Sequence, residues 1–481
     1  MDGLNNVSSI PYQCLACAVE RDGKGNGIQT MFDSEFETDS IYNSFSRREM
    51  MRAAVLSALG LTVPDVRRAL CTGLYSANSD GHVPQLRCCV TDPQAWYFDT
   101  KDHIRKRFAI YKKIGVNLIR AEIDWAVAET EEGKWRTYPV CRYLQIAKEY
   151  GFHIKLIVGV MMSPPYWYLQ KHPEAMLTDQ NGGHSFNTMS YWYPKLRQVI
   201  DEKTKNLFEI LNSADVWNSI DYLIPSFGPA GEPIYPAPWT LGPKFPVATF
   251  WGYDSNAQKS FRSTMKRKYR SIGKANSEWG TDFLSWDDVI VLQPKARPGR
   301  YWNDMLLWYR DTKRSFVEWQ IDNMNKYAGA RKMTLIYVPG TGFSEQDWES
   351  AVRTGDGDDS IKLMADSRFL IDAAAKKGCW LQYTGVENAS EVERLVAYID
   401  KRGYKGISLW GENAGFYDCA KDPVKLARII INNRLYGLDL THGNFLFKSD
   451  GLTPDQIMPE LKTAFHMIDK YWKDAAFKSS G

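Results

Sequence analysis

The stretch FGPAGEPIYPAPW, residues 227 to 239, sets a single acid, Glu232, among four prolines and two glycines. Proline fixes its own φ and glycine reaches backbone conformations that other residues avoid. Pro229 and Pro233 with Gly228 and Gly231 can therefore aim one carboxyl group reproducibly. Further acids punctuate short apolar runs: Glu122 and Asp124 in NLIRAEIDW, Glu387 in LQYTGVEN and Glu412 in SLWGEN. Two carboxyl groups facing each other suit a bond whose leaving oxygen must be protonated while water, or the carboxylate itself, attacks from the far side. A glycosidic bond makes that demand. One such acid alone is as readily half of an ion pair. Several converging on one opening favour chemistry.

The elements that would position these acids repeat as strand and helix. Apolar strand-like runs occur at 71–77 (CTGLYSA), VNLIRAEIDW, HIKLIVGV, IDYLIPSFG, MTLIYVPG, CWLQYTG, GISLWG and finally LTHGNFLF at 440–447. Helical periodicity marks DHIRKRFAIYKKIG, VCRYLQIAKEYG, residues 195–212, MLLWYRDTKRSFVEWQIDNMNKYAG, SEVERLVAYIDKRG, DPVKLARIIINNRLYG and 455–473. Eight short buried strands, each followed by helix, predict an α/β fold of the (β/α)8 TIM-barrel type, a single catalytic domain over 69–475. A doubly wound sheet would be expected to carry GxGxxG after its first strand, and none is present. In a barrel, chemistry sits at the C-terminal ends of strands. Glu122 and Asp124 fall after strand two, Glu232 after strand four, Glu387 after strand six and Glu412 after strand seven.

Bulk composition narrows the partners. The 60 basic residues nearly balance 57 acidic ones, so no broad field for nucleic acid exists. No apolar run approaches the ~20 residues of a membrane span. Cys14 and Cys17 form a CxxC without a second pair, and no HExxH occurs, so neither a metal nor another cofactor is expected. The surplus of Trp and Tyr suits a carbohydrate, whose apolar face lies on a flat ring. Trp167, Trp192, Trp239 and Trp410 are the candidate subsites. Trp308 and Trp319 lie on an amphipathic run and read as core, and His172 reads as structural. Residues 1–68 form an N-terminal extension, polar and partly disordered over its first 45 residues. Within it, SRREMMR at 46–52 resembles a twin-arginine export signal. Its internal position, short apolar stretch and lack of an A-x-A cleavage site equally fit an amphipathic helix of a cytoplasmic protein.

GPAGEPIYPAPW resembles the segment of β-amylases (glycoside hydrolase family 14) that carries the general acid, which implies that role for Glu232. LQYTGVENASEVERLVAYIDKRGYKGISLWGENAGFYD resembles the β-amylase pair of segments of which one holds the general base and the other contains GENA. The resemblance implies Glu387 as base, Glu412 and Asn413 in the neighbouring segment, and Glu122 as a substrate-binding acid. Asn388 or Asn413 could orient the partner or bind a 2-hydroxyl, or be turn residues. Elsewhere the chain departs from that family. MMSPPYWYLQKHPEAMLTDQNGG and residues 260–280 are similar to barrel β-galactosidases (family 42), whose acid follows Asn where Gly231 stands here. Tyr337 occupies the position of a substrate-binding Lys of β-amylases.

These features imply a glycoside hydrolase acting on an oligo- or polysaccharide. Glu232 with Glu387 would be inverting and β-amylase-like. Glu232 with Glu412 would be retaining and β-galactosidase-like. From another class, a carbohydrate-binding barrel without catalysis has the same surface features. A phosphate-sugar isomerase would need a phosphate cradle after strands seven and eight, which GENAG and THGN supply only weakly.

Overall fold

The computed structural model describes residues 86–479, apart from brief interruptions of which 415–420 is the longest. The N-terminal extension, its twin-arginine-like segment and the strand expected at 71–77 lie outside the described residues. Strand β1 (Cys88–Thr91) is followed by β2 (Leu118–Asp124) and β3 (His153–Gly159). After them come a hairpin of β4 (Met176–Thr178) and β5 (His184–Met189), then β6 (Ile220–Pro225), β7 (Met333–Val338), β8 (Trp380–Tyr383), β9 (Leu409–Glu412) and β10 (Leu438–Leu440). All but the hairpin are parallel and form one closed barrel of eight, in which β1 pairs with β10 through Cys88 opposite Leu438 and Val90 opposite Leu440. The expected barrel is the observed fold.

Both ends of the strand count need correction. The strand that opens the barrel is Cys88–Thr91, a four-residue run between Arg87 and Asp92 too short to announce itself by pattern. The last strand spans Leu438–Leu440, and residues 443–446 wind into a 3-10 turn rather than extending it. The turn is imposed by contact: a β-carbon on Gly443 would lie 2.7 Å from Val90 Cγ1, so the chain folds over β1 with no side chain between.

Helices pack outside the strands, each with its apolar stripe inward. The longest, Arg300–Ala328, buries Tyr309, Lys313, Phe316 and Gln320 on one face, a 4-3-4 spacing. Side chains alternate along a strand, so Arg120, Glu122 and Asp124 share the inner face of β2, and Trp410 and Glu412 that of β9. At the N-terminal end of the barrel the interior is filled by Cys89, Leu118, Tyr222, Leu335, Trp380 and Trp410. Above them it turns polar. Among the described residues no helix is long and apolar enough to cross a membrane.

Candidate active site

Glu232 follows β6 on a tight turn, Pro229–Gly231, in which Ala230 (φ 54°) and Gly231 (φ 78°) are both left-handed. Ala in that region costs on the order of 1 kcal/mol, so the surrounding contacts hold the turn against its own preference. Gly228 serves differently from expectation. Its backbone is extended, and it is the missing side chain that counts: a β-carbon there would lie 2.3 Å from the Ile234 carbonyl oxygen and 2.9 Å from the Tyr191 hydroxyl. The turn delivers the half-buried Glu232 carboxyl to Thr384, just past β8, whose hydroxyl donates to Oε1 at 2.5 Å. Burial pushes Glu232 up to about 7, the Thr384 hydrogen bond opposes the shift, and the charge of Glu412 adds to it.

Glu412 sits in a different environment. It is buried at the end of β9, and its Oε2 receives both Arg120 Nη1 at 2.6 Å and Gln382 Nε2 at 2.5 Å. Burial raises Glu412 above its ordinary value, while the Arg120 guanidinium pulls it back. Around this pair the barrel interior carries two cations and two anions. Arg120 also lies 3.4 Å from Asp439 and donates to the Tyr337 hydroxyl at 3.0 Å. Lys155 donates to Gln382 at 2.8 Å, lies 3.3 Å from Asp439 and stands 3.2 Å over the Trp410 ring. Thr91 donates to the other oxygen of Asp439 at 3.0 Å. Against burial, Arg120 and Lys155 hold Asp439 below the usual carboxylate range. Charges removed from water need this completeness of pairing.

Glu122 and Asp124 lie side by side above Arg120. Burial and the adjacent, hydrogen-bonded Asp124 push Glu122 well above its ordinary value. A β-carbon on Gly159 would lie 2.1 Å from Asp124 Oδ1, so glycine on the neighbouring strand leaves the Asp124 carboxyl its present place. Glu387 is half-buried and accepts the Ala414 N–H on both oxygens, at 3.2 and 3.1 Å, tying the loop after β8 to that after β9. Burial first, and then the charges of Glu391, Glu387 and Glu232, push the Tyr383 phenol up.

The other expected site residues separate clearly. Asn388 is exposed and caps helix Ala389–Arg402, accepting the Glu391 N–H at 3.4 Å. Asn413 is buried and brackets β9 to β10, accepting the Thr441 N–H at 2.9 Å. Trp410 is fully buried beneath Lys155 in the barrel interior, which removes it from any sugar-facing surface. Trp192 is stacked on Trp308 at 4.8 Å and packs against helix Arg300–Ala328, also in the core. Strand position alone could not separate a ring on the rim from a ring pointing below it. Trp239 is exposed, and Trp167 is half-buried with its indole N–H on the Glu129 carbonyl. Tyr337 belongs to the interior network. His172 packs against Tyr168, with ring centroids 4.5 Å apart and planes tilted by 43°.

Arg120, Lys155, Gln382, Thr384 and Asp439 escaped sequence reasoning. A usable signal was present: charges spaced by two in LIRAEID, and single charges in HIKLIVG and LDL, stand in strands that are otherwise apolar. Among the described residues no cluster of His, Cys, Asp and Glu is arranged to hold a metal ion.

Comparison with known proteins falls on the same two groups. A family described as Beta-galactosidase (Glyco_hydro_42) matches residues 92–214, the part of the barrel from β2 through the hairpin. The β-galactosidase BbgII of Bifidobacterium bifidum is 27% identical over 197 residues, 40% of this chain and 26% of its own length. A β-amylase of Cytobacillus firmus is 25% identical over 233 residues, covering 43% of this chain and 48% of that one. The likeness is to two families at once. The chain thus spans about a quarter of the length of the β-galactosidases it matches. In three dimensions the catalytic domain of a β-amylase from Paenibacillus polymyxa superposes with a TM-score of 0.67 at 20% identity, covering 80% of this chain and 99% of that domain. A β-galactosidase from Marinomonas ef1 gives 0.56 at 12% identity, covering 80% and 60%. At these identities the superpositions establish the fold.

Proposed function

We propose that this protein is a glycoside hydrolase that cleaves O-glycosidic bonds of an oligo- or polysaccharide, with Glu232 as general acid and Glu412 as the second carboxylate. The observation that carries the reading is the contrast between two acids that influence each other. Glu232 has the Thr384 hydroxyl and, among the described residues, no ion-pair partner, and is pushed to about 7. Glu412 has Arg120 at 2.6 Å. Burial raises both carboxyl groups, and their unlike partners, a hydroxyl for one and a guanidinium for the other, favour Glu232 as the acid and Glu412 as the group that carries charge. Thr384 engages Oε1 of Glu232 and leaves Oε2 to carry the proton toward the leaving oxygen. Arg120 and Gln382 both engage Oε2 of Glu412 and leave Oε1 for water or the anomeric carbon. Glu122 and Asp124, hydrogen-bonded to each other, offer carboxyl oxygens to sugar hydroxyls. Relatives named as β-galactosidases and β-amylases support the reaction class.

A second reading keeps Glu387 as the base acting through water, as the β-amylase resemblance implies. Its support is that Glu387 stands three residues after Thr384, the hydrogen-bond partner of Glu232, in the same loop. A panel of α- and β-linked oligosaccharides tests all of this, with NMR of the freshly released anomer. Glu232→Gln and Glu412→Gln are each expected to reduce turnover of unactivated substrate by about 10²-fold or more. Loss in Glu387→Gln but not in Glu412→Gln would transfer the role to Glu387. Binding without turnover across the panel would leave a carbohydrate-binding barrel. Retention of configuration makes the second carboxylate a nucleophile, and inversion makes it a base.

A further inference from the structure

The turn that carries Glu232 is strained and short, and something must hold its two ends together. That role falls to one side chain on helix Arg300–Ala328. Lys313 is buried, and its Nζ donates to the Ile234 carbonyl at 2.6 Å, to the Phe227 carbonyl at 3.3 Å and to the Tyr191 hydroxyl at 2.6 Å. Tyr191 in turn donates to Phe227 O at 2.8 Å and stands within 3.3 Å of Ile234 O. The two carbonyls flank Glu232 on either side, five residues before it and two after. Burial lowers Lys313 well below its ordinary value, and its Nζ, at most a three-proton donor, has three oxygen partners here. The Tyr191 and Tyr235 ring centroids lie 4.1 and 4.9 Å from Nζ. The same helix face extends the hold: Gln320 Nε2 donates to Ser226 O at 3.2 Å, and the Tyr309 carbonyl accepts from Tyr235 at 3.0 Å.

We infer that Lys313 and Tyr191 form a clamp that closes the Glu232 turn, making Lys313 a positioning residue for the acid rather than a packing residue of the helix. The inference rests on Glu232 being the general acid. With the clamp intact, Ala230 and Gly231 are kept left-handed and the Glu232 carboxyl is kept against Thr384 and out of water. Without it, the turn relaxes toward ordinary backbone angles and the carboxyl becomes hydrated. The sign is diagnostic. Loss of a nearby positive charge would by itself raise the acid's titration midpoint, whereas hydration of a buried carboxyl lowers it.

The test follows the carboxyl carbons of glutamate in 13C-labelled protein by NMR, with Glu232→Gln assigning the resonance. In the unsubstituted protein the midpoint is expected near 7. In Lys313→Met, which keeps the bulk of the side chain and removes the amino group, it is expected to fall by at least one pH unit toward the ordinary carboxylate range. Tyr191→Phe removes one hydroxyl from the same clamp and is expected to give a smaller shift in the same direction, and it decides the matter alone if Lys313→Met does not fold. An unchanged or raised midpoint in the folded variants would overturn the clamp. The readout needs no substrate. If Glu232→Gln hydrolyses normally while the midpoint falls, the functional reading fails and the clamp stands. If Glu232→Gln is inactive and the midpoint is unmoved, the clamp fails and the function stands.

Discussion

The Tyr337 ring occupies the space beside Gly231: a β-carbon at position 231 would lie 3.0 Å from Tyr337 Cε2. These are two of the positions at which the sequence departs from the families it resembles, and in the fold they are a single contact. The phenol fills the volume that a side chain at 231 would take, while its hydroxyl accepts from Arg120 at the heart of the interior network.

Gly231→Asn should therefore fail for want of room more than for backbone strain, since Asn tolerates a φ of 78° better than most residues. Melting temperature and turnover are both expected to drop, and Tyr337→Ala in the same chain to restore part of the loss. A double-mutant cycle is expected to show coupling of about 1 kcal/mol or more. Strict additivity would mean that the two positions are independent.

Activity should depend on pH through Glu232. A general acid works only while protonated, so kcat/KM is expected to fall as pH rises through about 7. The Thr384 hydrogen bond lowers that value, so Thr384→Val should move the falling limb to higher pH. A limb displaced downward, or unmoved, would show that Thr384 does not govern this proton.

Stability carries the same signature with the sign worked through. Unfolded, Glu232 titrates near its ordinary 4.5; folded, near 7. Below 4.5 it is neutral in both states and imposes no cost. Between those values the unfolded chain ionises while the folded state keeps its proton, so stability falls as pH rises, and above 7, where the folded state too must carry the charge that burial disfavours, the cost is complete, at most about 3 kcal/mol and less wherever water reaches the group. Glu232→Gln should thus stabilise the fold at pH 8 relative to pH 4, as read from urea denaturation at each pH. An identical difference at both would place Glu232 in an ordinary solvated setting.

Arg120→Met tests the interior charges. It leaves Glu412 and Asp439 without their shared partner, an omission that typically costs about 3–5 kcal/mol. Because Arg120 also lowers the titration of Glu412, any activity that survives should have its rising, acidic limb moved to higher pH. Denaturation and a pH–rate profile of the same variant check both halves.

The barrel was legible in the sequence because alternating apolar runs and helical stripes report burial directly, and because Glu232, Glu387 and Glu412 fall at predictable strand ends. The Lys313 clamp was not, since 86 residues separate Lys313 from Phe227 in the chain. Nor was the fate of the tryptophans: Trp410 and Trp239 are alike in type, yet one is enclosed by Lys155 and the other is exposed. The sequence by itself determined which residues could be acids, which segments could be strands, and that the Glu232 turn must be tightly constrained. Only the tertiary structure decided which acid has a cation beside it. Periodicity records whether a side chain is buried, but a carboxyl group's proton is set by charges and water within a few ångströms, and closure of the barrel alone brings Arg120, from the second strand, against Glu412, from the seventh.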